Sequence, residues 1–485
     1  MPVLSVILWI PVAALLVLLL LPKERLTLIR AVALLGSGLA FLLSWRLLAY
    51  FNRTTAELQF VERREWIPEL GMTYALAVDG ISLPMVLLTT LMTLVAIIAS
   101  LNLTERIKGY FACLMLLEFS MLGVFLAQDW FLFYVFWEIG LVPMFFLIGL
   151  WGGKRKSLAT MSFFLYTLAG SIALLLGIIA IYLSTDLHTF DMQALMSKRS
   201  GWDQAFQIGP FLAFFIGFAV KVPVFPLHGW LPLAHVEAPS PVSIILSAVM
   251  LKMGAYGVLR LSNLLPLAME WFAPVLMILA LVNIIYGALL AFRQTDLKAM
   301  VAFSSISHMG FVLLGIAAMN ATGFSGALLQ MVTHGIITGA LFLLVGLLYD
   351  RTHTREAKDF GGLATRVPIY SAFFSLAVFA SLGMPGLAQF VSELLILVGA
   401  FQRWGLPMVI ATIGIVITAA YSLRTIGQML MGPLNTRWAD LSDLTGREIA
   451  AAIPLALLMI ALGLYPQPVL SITHTTVEEL ARIFR

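Results

Sequence analysis

Long apolar stretches alternate with short polar connections along the whole chain. Fourteen of these stretches reach the ~20 residues that a helix needs to cross a bilayer. They occupy residues 3–21, 27–50, 78–101, 109–127, 130–150, 157–183, 209–227, 239–262, 271–292, 298–319, 323–349, 368–400, 406–431 and 449–466. The pattern predicts an all-α, polytopic membrane protein with about fourteen transmembrane helices.

Two connections between these stretches are longer than the others. Residues 51–77 mix polar with aromatic side chains and are expected to form a small hairpin outside the membrane, whereas residues 184–208 carry several charges. No connection is long enough for a soluble domain, so we expect a single transmembrane domain embedded in the lipid bilayer. The tail 471–485 has apolar residues at helical spacing and is expected to lie on the membrane surface.

The composition excludes two other classes of protein. Apolar residues make up 61% of the 485 residues and charged residues only 11%, against roughly 45–50% and about 25% in soluble domains. A soluble globule needs more polar surface than this chain offers, and the same figures exclude a disordered chain. The net charge of +4 comes from scattered basic residues, which do not form a nucleic-acid footprint.

The sequence contains a single cysteine, Cys113, within an apolar stretch. One cysteine cannot form an internal disulfide and cannot hold an iron–sulfur cluster or a structural zinc ion, so we expect no metal site and no cofactor in this chain. The chain also has neither a P-loop nor a glycine-rich dinucleotide turn. Any electron transfer linked to this chain is therefore expected in other subunits.

The basic residues predict the orientation of the chain. The loops after odd-numbered helices hold sixteen Lys and Arg residues, against nine on the other side. The positive-inside rule therefore places the odd loops in the cytoplasm and both termini on the outer side of the membrane. Residues 3–21 have no basic residue before them and no cleavage site after them, so we expect them to remain as the first helix.

Two of the predicted helices are interrupted. The seventh contains Pro223 and Pro226, and the twelfth contains the run from Gly383 to Gly386. Such breaks persist within a membrane where the freed backbone lines a polar cavity, and paired breaks indicate inverted repeats. The predicted organisation is residues 1–108 with three helices, five-helix repeats at 109–262 and 271–431, and residues 449–485 with the last helix and the tail.

Ionisable residues lie deep within several of the apolar stretches. Each buried charge costs roughly 2.5–3.5 kcal/mol on insertion scales, so these groups must pair, hold water or change protonation state. A buried series of carboxyl, lysine and histidine groups can pass protons between neighbours, whereas a sugar or amino-acid site needs a defined pocket. The candidate site residues are Glu138, Lys221, Lys252, His308, His334 and Glu393.

Structural ion pairs and interhelical hydrogen bonds are the alternative interpretation of these residues. This interpretation is favoured for Glu118, a further buried carboxyl, and stays open for the histidines. Lys221 lies beside a broken helix, which favours a functional role. Burial disfavours its ammonium form and a nearby carboxylate favours it, so the opposed effects would let Lys221 load and release a proton. Glu138 is its expected partner.

Several motifs of this chain resemble those of one family. They are Phe136-Trp-Glu-Ile-Gly-Leu-Val-Pro143, Ala219-Val-Lys-Val-Pro223, Pro226-Leu-His-Gly-Trp-Leu-Pro232, His235-Val-Glu-Ala-Pro239, Leu251-Lys-Met-Gly-Ala-Tyr256, Thr295-Asp-Leu-Lys298, Ser304-Ser-Ile-Ser-His-Met-Gly310, Gly383-Met-Pro-Gly386 and Phe390-Val-Ser-Glu393. Together they make essentially the whole chain similar to the antiporter-like proton-channel subunits of respiratory complex I, the proton-pumping NADH-quinone oxidoreductase. The resemblance implies fourteen helices with two inverted five-helix repeats.

The resemblance also implies roles for the candidate residues. Glu138 and Lys221 match the family's glutamate of helix 5 and lysine of helix 7. Lys252 matches the connecting lysine of helix 8, and the relay and exit positions are matched by His308, His334 and Glu393. The glutamate at position 393 makes the chain similar to the M-type members of the family, which are the counterparts of mitochondrial chain 4. The L- and N-type members usually have lysine at the position of Glu393. Leu233, where many relatives have aspartate, and Arg424 depart from the family pattern.

The function implied by the resemblance is proton translocation through a buried Glu/Lys/His relay, coupled to electron transfer from NADH to quinone. FMN, iron–sulfur clusters and quinone would be bound by other subunits, and the partners would include the L- and N-type subunits. Two alternatives stay open: a subunit of a multi-subunit cation/proton antiporter or membrane-bound hydrogenase, and a structural subunit that conducts no protons. The sequence leaves the quinone, the coupling ion and the electron donor, NADH or ferredoxin, undecided.

Overall fold

The computed structural model describes residues 2–485 and is almost entirely helical. We label the membrane helices α1 to α14 and the last helix α15. Their bounds are α1 Val3–Leu20, α2 Leu26–Tyr50, α3 Ser82–Ala99, α4 Ile107–Leu126, α5 Trp130–Trp151, α6 Lys156–Ser184, α7a Gln204–Lys221, α7b Trp230–Glu237, α8 Ser240–Leu264, α9 Pro266–Arg293, α10 Leu297–Ala317, α11 Ala321–Thr352, α12a Pro368–Ser381, α12b Ala388–Trp404, α13 Val409–Leu430, α14 Gly446–Leu464 and α15 Gln467–Arg482. Two shorter helices, Met192–Lys198 and Leu363–Arg366, lie in the connections.

The prediction of about fourteen membrane helices is confirmed. Within residues 2–485, thirteen helices are long and apolar enough to cross a membrane, and the remaining predicted crossing is formed by α12a and α12b together. The largest difference concerns the seventh helix, because α7a ends at Lys221 while the apolar pattern continues to residue 227. Side chains stay apolar through the proline-containing break, so hydropathy does not mark where this helix ends.

Both predicted breaks are present. Residues 222–229 separate α7a from α7b, and residues 382–387 separate α12a from α12b. In the second break, Gly383 and Gly386 have φ values of +77° and +89°, which glycine adopts without strain. The boundaries of the two repeats, 109–262 and 271–431, stay a prediction.

The predicted hairpin between α2 and α3 is confirmed. Strand β1, Gln59–Ile67, pairs antiparallel with strand β2, Met72–Val78. The Glu62 carboxylate in β1 accepts hydrogen bonds from the backbone N–H groups of Leu4 and Ser5 at 2.7 and 3.0 Å. Because these N–H groups have no partner within their own helix, the hairpin caps the N-terminus of α1.

The tail forms the predicted helix, α15, but its environment differs from the prediction. Its apolar face, which includes Ile472, Val477 and Leu480, is buried against α11 and α3. Thr476 Oγ1 on the same face accepts a hydrogen bond from the Gly80 N–H at 3.1 Å. The apolar residues at helical spacing therefore cover other helices rather than lipid.

Three helices form the centre of the bundle. In α8 and α11 the most apolar segment is 100% buried, and in α10 it is 94% buried, against 28–39% for the peripheral helices α2, α6 and α9. The central helices carry Lys252, His308 and His334. The fold thus encloses these ionisable groups and leaves the peripheral helices to face lipid.

Candidate functional site

Lys221 is the last residue of α7a, directly before the first break. The residue is 1% exposed, and its Nζ lies 5.1 Å from the ring centre of Trp137 and 5.9 Å from that of Phe163. Within residues 2–485, Nζ has no hydrogen-bond partner. Aromatic faces and the negative end of a helix dipole both stabilise a cation, so the site holds an ammonium group without engaging its protons.

Side chains outside the first break satisfy its backbone groups. The Phe225 N–H donates to Asn283 Oδ1 at 2.8 Å, and Asn283 Nδ2 donates to the Pro223 carbonyl at 3.1 Å. Trp230 Nε1, at the start of α7b, donates to the Val220 carbonyl at 2.9 Å. Irregular backbone in a membrane needs such partners because lipid supplies none. Asn283 thus belongs to the site, although it was not among the predicted residues.

Glu138 lies in α5, next to the Trp137 ring that contacts Lys221. Its Oε1 has no hydrogen-bond partner within residues 2–485, and no ion pair within 4.0 Å joins Glu138 to Lys221 in that part of the chain. Glu138 is also only partly buried in this chain, whereas the sequence analysis treats it as buried. The two charges therefore share one region without direct contact.

Lys252 follows a π-helical turn, Leu246–Met250, inside α8. Its Nζ donates to the Ser247 carbonyl at 2.5 Å and lies 2.6 Å from His334 Nδ1 on α11. A protonated lysine can only donate, so His334 Nδ1 accepts, and the neutral imidazole then carries its proton on Nε2. π turns are frequent at functional sites. In this chain the carbonyl inside the π turn holds the lysine against the histidine.

The two histidines predicted as relay residues are neighbours. The rings of His308 on α10 and His334 on α11 have centres 5.4 Å apart and are inclined by 68°. Both ring nitrogens of His308, and Nε2 of His334, lack a hydrogen-bond partner within residues 2–485. Lys252, His334 and His308 thus form a contiguous row across the three central helices.

Glu393 lies in the second turn of α12b, after the second break, and is 5% exposed. Gln389, one turn earlier, donates from Nε2 to Glu393 Oε1 at 2.8 Å and to the Ser381 carbonyl at 2.9 Å. The half-helix α12b packs against both α10 and α11, which carry His308 and His334. Glu393 therefore lies on a helix in contact with the two histidine-bearing helices.

A cavity of about 610 Å³, with several charged residues in its wall, opens among the loops that follow odd-numbered helices. Glu237 on its wall forms an ion pair with Arg155 at 3.3 Å, and Arg355 forms one with Asp296 at 3.0 Å. Ser240, the first residue of α8, also lines the cavity. The cavity thus brings charged groups to the helix that carries Lys252.

The structure accounts for Arg424, one of the two departures from the family pattern. Its Nη2 donates to the Gln294 carbonyl at the C-terminal end of α9 at 3.2 Å, and its guanidinium lies 4.8 Å from the Phe292 ring centre. A cation there satisfies an end carbonyl and opposes the helix dipole. Leu233, the other departure, lines a separate cavity of about 320 Å³ beside His228.

Two further buried groups lie outside the predicted relay. Glu118 is fully buried, and neither carboxyl oxygen has a hydrogen-bond partner within residues 2–485. Arg260, two turns after Lys252 on α8, forms a bidentate pair with Asp79, with N–O distances of 2.5 and 2.9 Å. Lys252, Tyr256 and Arg260 follow one another at intervals of four residues, so their side chains share one face of α8. This spacing is the signal in the sequence that could have indicated Arg260. Asp79 gives no such signal, since it lies 181 residues away in the chain.

The fold and the site together define a class of protein. It is a many-helix membrane protein with two broken helices and an enclosed row of ionisable groups, which is typical of proteins that move ions across membranes. Comparison with known proteins gives the family within this class.

Residues 127–418 match the family described as NADH:quinone oxidoreductase/Mrp antiporter, transmembrane. NADH-quinone oxidoreductase subunit M of Rhodobacter capsulatus is 43% identical over 462 residues, which cover 93% of this chain and 90% of that protein. The fold matches a chain of respiratory complex I from Thermus thermophilus with bound NADH, with a TM-score of 0.91 and 30% identity over 100% of both chains. A chain of the Mrp complex from Dietzia sp. DQ12-45-1b matches with a TM-score of 0.85 and 25% identity, over 98% of this chain and 52% of that one.

The chain therefore belongs to the NADH:quinone oxidoreductase/Mrp antiporter family, and the resemblance found in its motifs is confirmed. Within the family it is more similar to the M-type subunit of the oxidoreductase, at 43% identity, than to the Mrp chain, at 25%. These comparisons support the M-type assignment over the alternative of an antiporter subunit.

Proposed function

We propose that this chain moves protons across a bacterial inner membrane as the M-type subunit of an NADH-quinone oxidoreductase. Redox reactions in other subunits supply the free energy. The observation that carries the proposal is the enclosed row in which Lys252 Nζ lies 2.6 Å from His334 Nδ1, with the His308 ring 5.4 Å beyond. The Lys252–His334 distance allows direct transfer of a proton, whereas the step from His334 to His308 requires a ring rotation or a bridging water molecule, because neither nitrogen of His308 has a hydrogen-bond partner within residues 2–485.

Each residue of the row performs one proton-transfer step in this proposal. Protons reach the N-terminal end of α8 from the cavity among the odd-numbered loops. Lys252 passes a proton to His334 Nδ1, and the imidazolium releases a proton from Nε2 toward His308. The proton leaves through Glu393 on α12b, the half-helix that packs against α10 and α11. An imidazole can accept at one nitrogen and release at the other, so His334 needs only a small movement.

Lys221 and Glu138 act as the control element in the proposal. The Lys221 ammonium is enclosed by aromatic rings with no hydrogen bond to its protons, and Glu138 Oε1 also lacks a partner within residues 2–485. A conformational change that brings the two together favours the ammonium, and their separation favours proton release. The absence of a direct ion pair supports this role because a pair already locked at short distance responds less to such a change.

The surroundings of the chain follow from the same proposal. The L- and N-type subunits are its membrane partners, and FMN, the iron–sulfur clusters and the quinone are bound by other subunits. The odd-numbered loops face the cytoplasm, and both termini face the outer side. This orientation places the 610 Å³ cavity on the side from which protons are taken up.

The proposal is tested with the complete enzyme, purified and reconstituted in liposomes. In Lys221→Ala and Lys252→Ala, we expect NADH-driven acidification to fall to the background while the subunits remain assembled on native gels. Lys358→Ala, which removes an exposed lysine from a loop, serves as the matched control and should keep the gradient. An assembled Lys252→Ala enzyme with wild-type quinone reduction and a wild-type gradient would contradict the relay.

Exchange of Na⁺ for H⁺ is a second candidate function, favoured by the match to the Mrp complex. The same liposomes distinguish the two ions. A proton gradient that forms at an unchanged rate in sodium-free buffer supports proton pumping, whereas a gradient that requires added Na⁺ favours exchange.

A further inference from the structure

Gln389 connects the two half-helices of the second break. It is fully buried in the first turn of α12b, and both hydrogens of its amide nitrogen have acceptors. One acceptor is Glu393 Oε1 at 2.8 Å, and the other is the carbonyl of Ser381, the last residue of α12a, at 2.9 Å. A single amide group thus donates to the candidate exit carboxyl and also links α12b to the end of α12a across the break.

These two contacts determine the orientation of the amide. A flipped amide would place Gln389 Oε1 against a carboxylate oxygen and a backbone carbonyl, which are both acceptors. The amide nitrogen therefore faces Glu393, and Gln389 Oε1 is left without a partner within residues 2–485. Glu393 Oε1 accepts a hydrogen bond from Gln389, whether or not the other oxygen is protonated.

The second carboxyl oxygen faces a different neighbour. A Cβ atom placed on Gly383 would lie 2.8 Å from Glu393 Oε2, so any larger residue there would displace the carboxyl group. Gly383 also has a φ of +77°, a backbone conformation in which other residues are strained. Oε2 thus lies against the backbone of Gly383 with no Cβ between them, and Oε1 lies against a hydrogen-bond donor.

We propose that Gln389 is a positioning residue that keeps Glu393 Oε1 as an acceptor, so that Glu393 takes up and releases its proton through Oε2, on the side of Gly383. A proton on Oε1 would face the Gln389 N–H, where two hydrogens would meet. This inference rests on the proposed role of Glu393 as a proton site. It specifies which oxygen atom of Glu393 carries the proton and the side from which the proton arrives.

Infrared difference spectroscopy of the complete enzyme tests the assignment of the oxygen. The C=O stretching band of protonated Glu393 is identified as the band that Glu393→Gln removes. If the proton is on Oε2, the C=O oxygen is Oε1, which accepts from Gln389. In Gln389→Met, which keeps the volume and the helix but has no N–H, we expect this band to shift to higher frequency and the rate of acidification to fall. An unshifted band in assembled Gln389→Met would overturn the proposal.

Two further variants keep the test decisive. Gln330→Met removes an equally buried amide on α11, which bonds to Ser392 and not to Glu393, and should leave the band in place. If Gln389→Met does not assemble, Gln389→Leu applies the same test, because leucine also has no N–H to donate and the band should shift likewise. Normal pumping by Glu393→Gln refutes the proposed function of Glu393. Impaired pumping by Glu393→Gln with an unshifted band in the Gln389 variant refutes the positioning role only.

Discussion

The two broken helices hold ionisable groups of opposite type in opposite positions. Lys221 is the last residue of the half-helix before the first break, whereas Glu393 lies in the second turn of the half-helix after the second break. A helix C-terminus favours a cation and a helix N-terminus favours an anion, each by about 0.3–1 kcal/mol and up to ~2 kcal/mol when partly buried. The type of ionisable group at each break thus agrees with the nearer helix end, and the effect is larger at Lys221, because it falls off within the first or last turn and Glu393 lies in the second.

The comparison also bears on the predicted repeats. If the two repeats hold equivalent sites, Glu393 should occupy the position that Lys221 has in the first repeat. In the structure the two residues lie on different sides of their breaks. The neighbours differ accordingly, since aromatic rings surround Lys221 while an amide donates to Glu393. Each environment stabilises the charge that it holds and disfavours the opposite one.

Reversing the charge at the first break should have the largest effect. In Lys221→Glu, a carboxylate would lie at the negative end of α7a and against the π faces of Trp137 and Phe163, all of which disfavour an anion. We expect no NADH-driven proton gradient in liposomes. Lys221→Arg should also fail, because arginine stays protonated and cannot relay a proton. The exposed Lys358→Glu is the control, and a wild-type gradient in either Lys221 variant would disprove the relay role.

Substitutions of Glu393 should give a graded series. Glu393→Asp keeps an acid on a shorter stem and should retain part of the pumping activity, while Glu393→Gln loses titration and should retain less. Glu393→Lys should be as impaired as Glu393→Gln, because an ammonium would face the N–H of Gln389 near a helix N-terminus. The measurement is the rate of acidification per NADH oxidised. If Glu393→Lys pumps as well as wild type, the argument from helix polarity is wrong.

The sequence predicts the breaks better than it predicts the partners of the charges. Pro223, Pro226 and Gly383 act locally on the backbone, so their effect is visible in the sequence. The contact of Lys252 with His334 depends on which faces α8 and α11 present to each other. The π turn that sets the direction of the Lys252 side chain leaves no mark in the composition. Side-chain partners therefore had to come from the three-dimensional structure.

Lys221 and Glu138, which were expected to form a pair, show why an argument from charge balance gives an incomplete answer. Each buried charge needs compensation, and an opposite charge is the simplest source of it. For Lys221 the structure provides aromatic faces and a helix end instead, so a direct ion pair is not required. Asp79 and Arg260 do form the kind of pair that the argument expects, between residues that the sequence analysis did not connect.

A fully paired charge should matter for stability more than for pumping. Removing one partner of a buried ion pair costs about 3–5 kcal/mol, so Asp79→Asn should lower the thermal stability of the enzyme while the assembled fraction still pumps. Asp186→Asn, at an exposed aspartate, is the control. Loss of coupling in a fully stable Asp79→Asn enzyme would show that this pair belongs to the relay.

The stability difference should also depend on pH. Burial acts to raise the pKa of Asp79, but the Arg260 guanidinium and the N–H groups of Ser82 and Ile81 outweigh it and hold the pKa below its usual value. The stabilisation is therefore complete above the pKa of an unfolded aspartate, about 3.9, and is lost as the pH falls through the lower pKa of the folded state. The thermal stabilities of wild type and Asp79→Asn should differ at neutral pH and converge only in strong acid.

The most local effect is expected where a neighbouring helix holds the first break. Asn283→Leu leaves the Phe225 N–H and the Pro223 carbonyl without side-chain partners, and a fully buried group without a partner costs about 1–3 kcal/mol. Hydrogen exchange should then become faster in residues 222–229, with pumping reduced less than in the Lys221 variants. Gln207→Leu, which removes a buried amide on α7a that accepts from the Leu267 N–H, should destabilise the protein without faster exchange in the break. Unchanged exchange in Asn283→Leu would mean that the prolines and Trp230 alone hold the break, and that Lys221 keeps its position without help from α9.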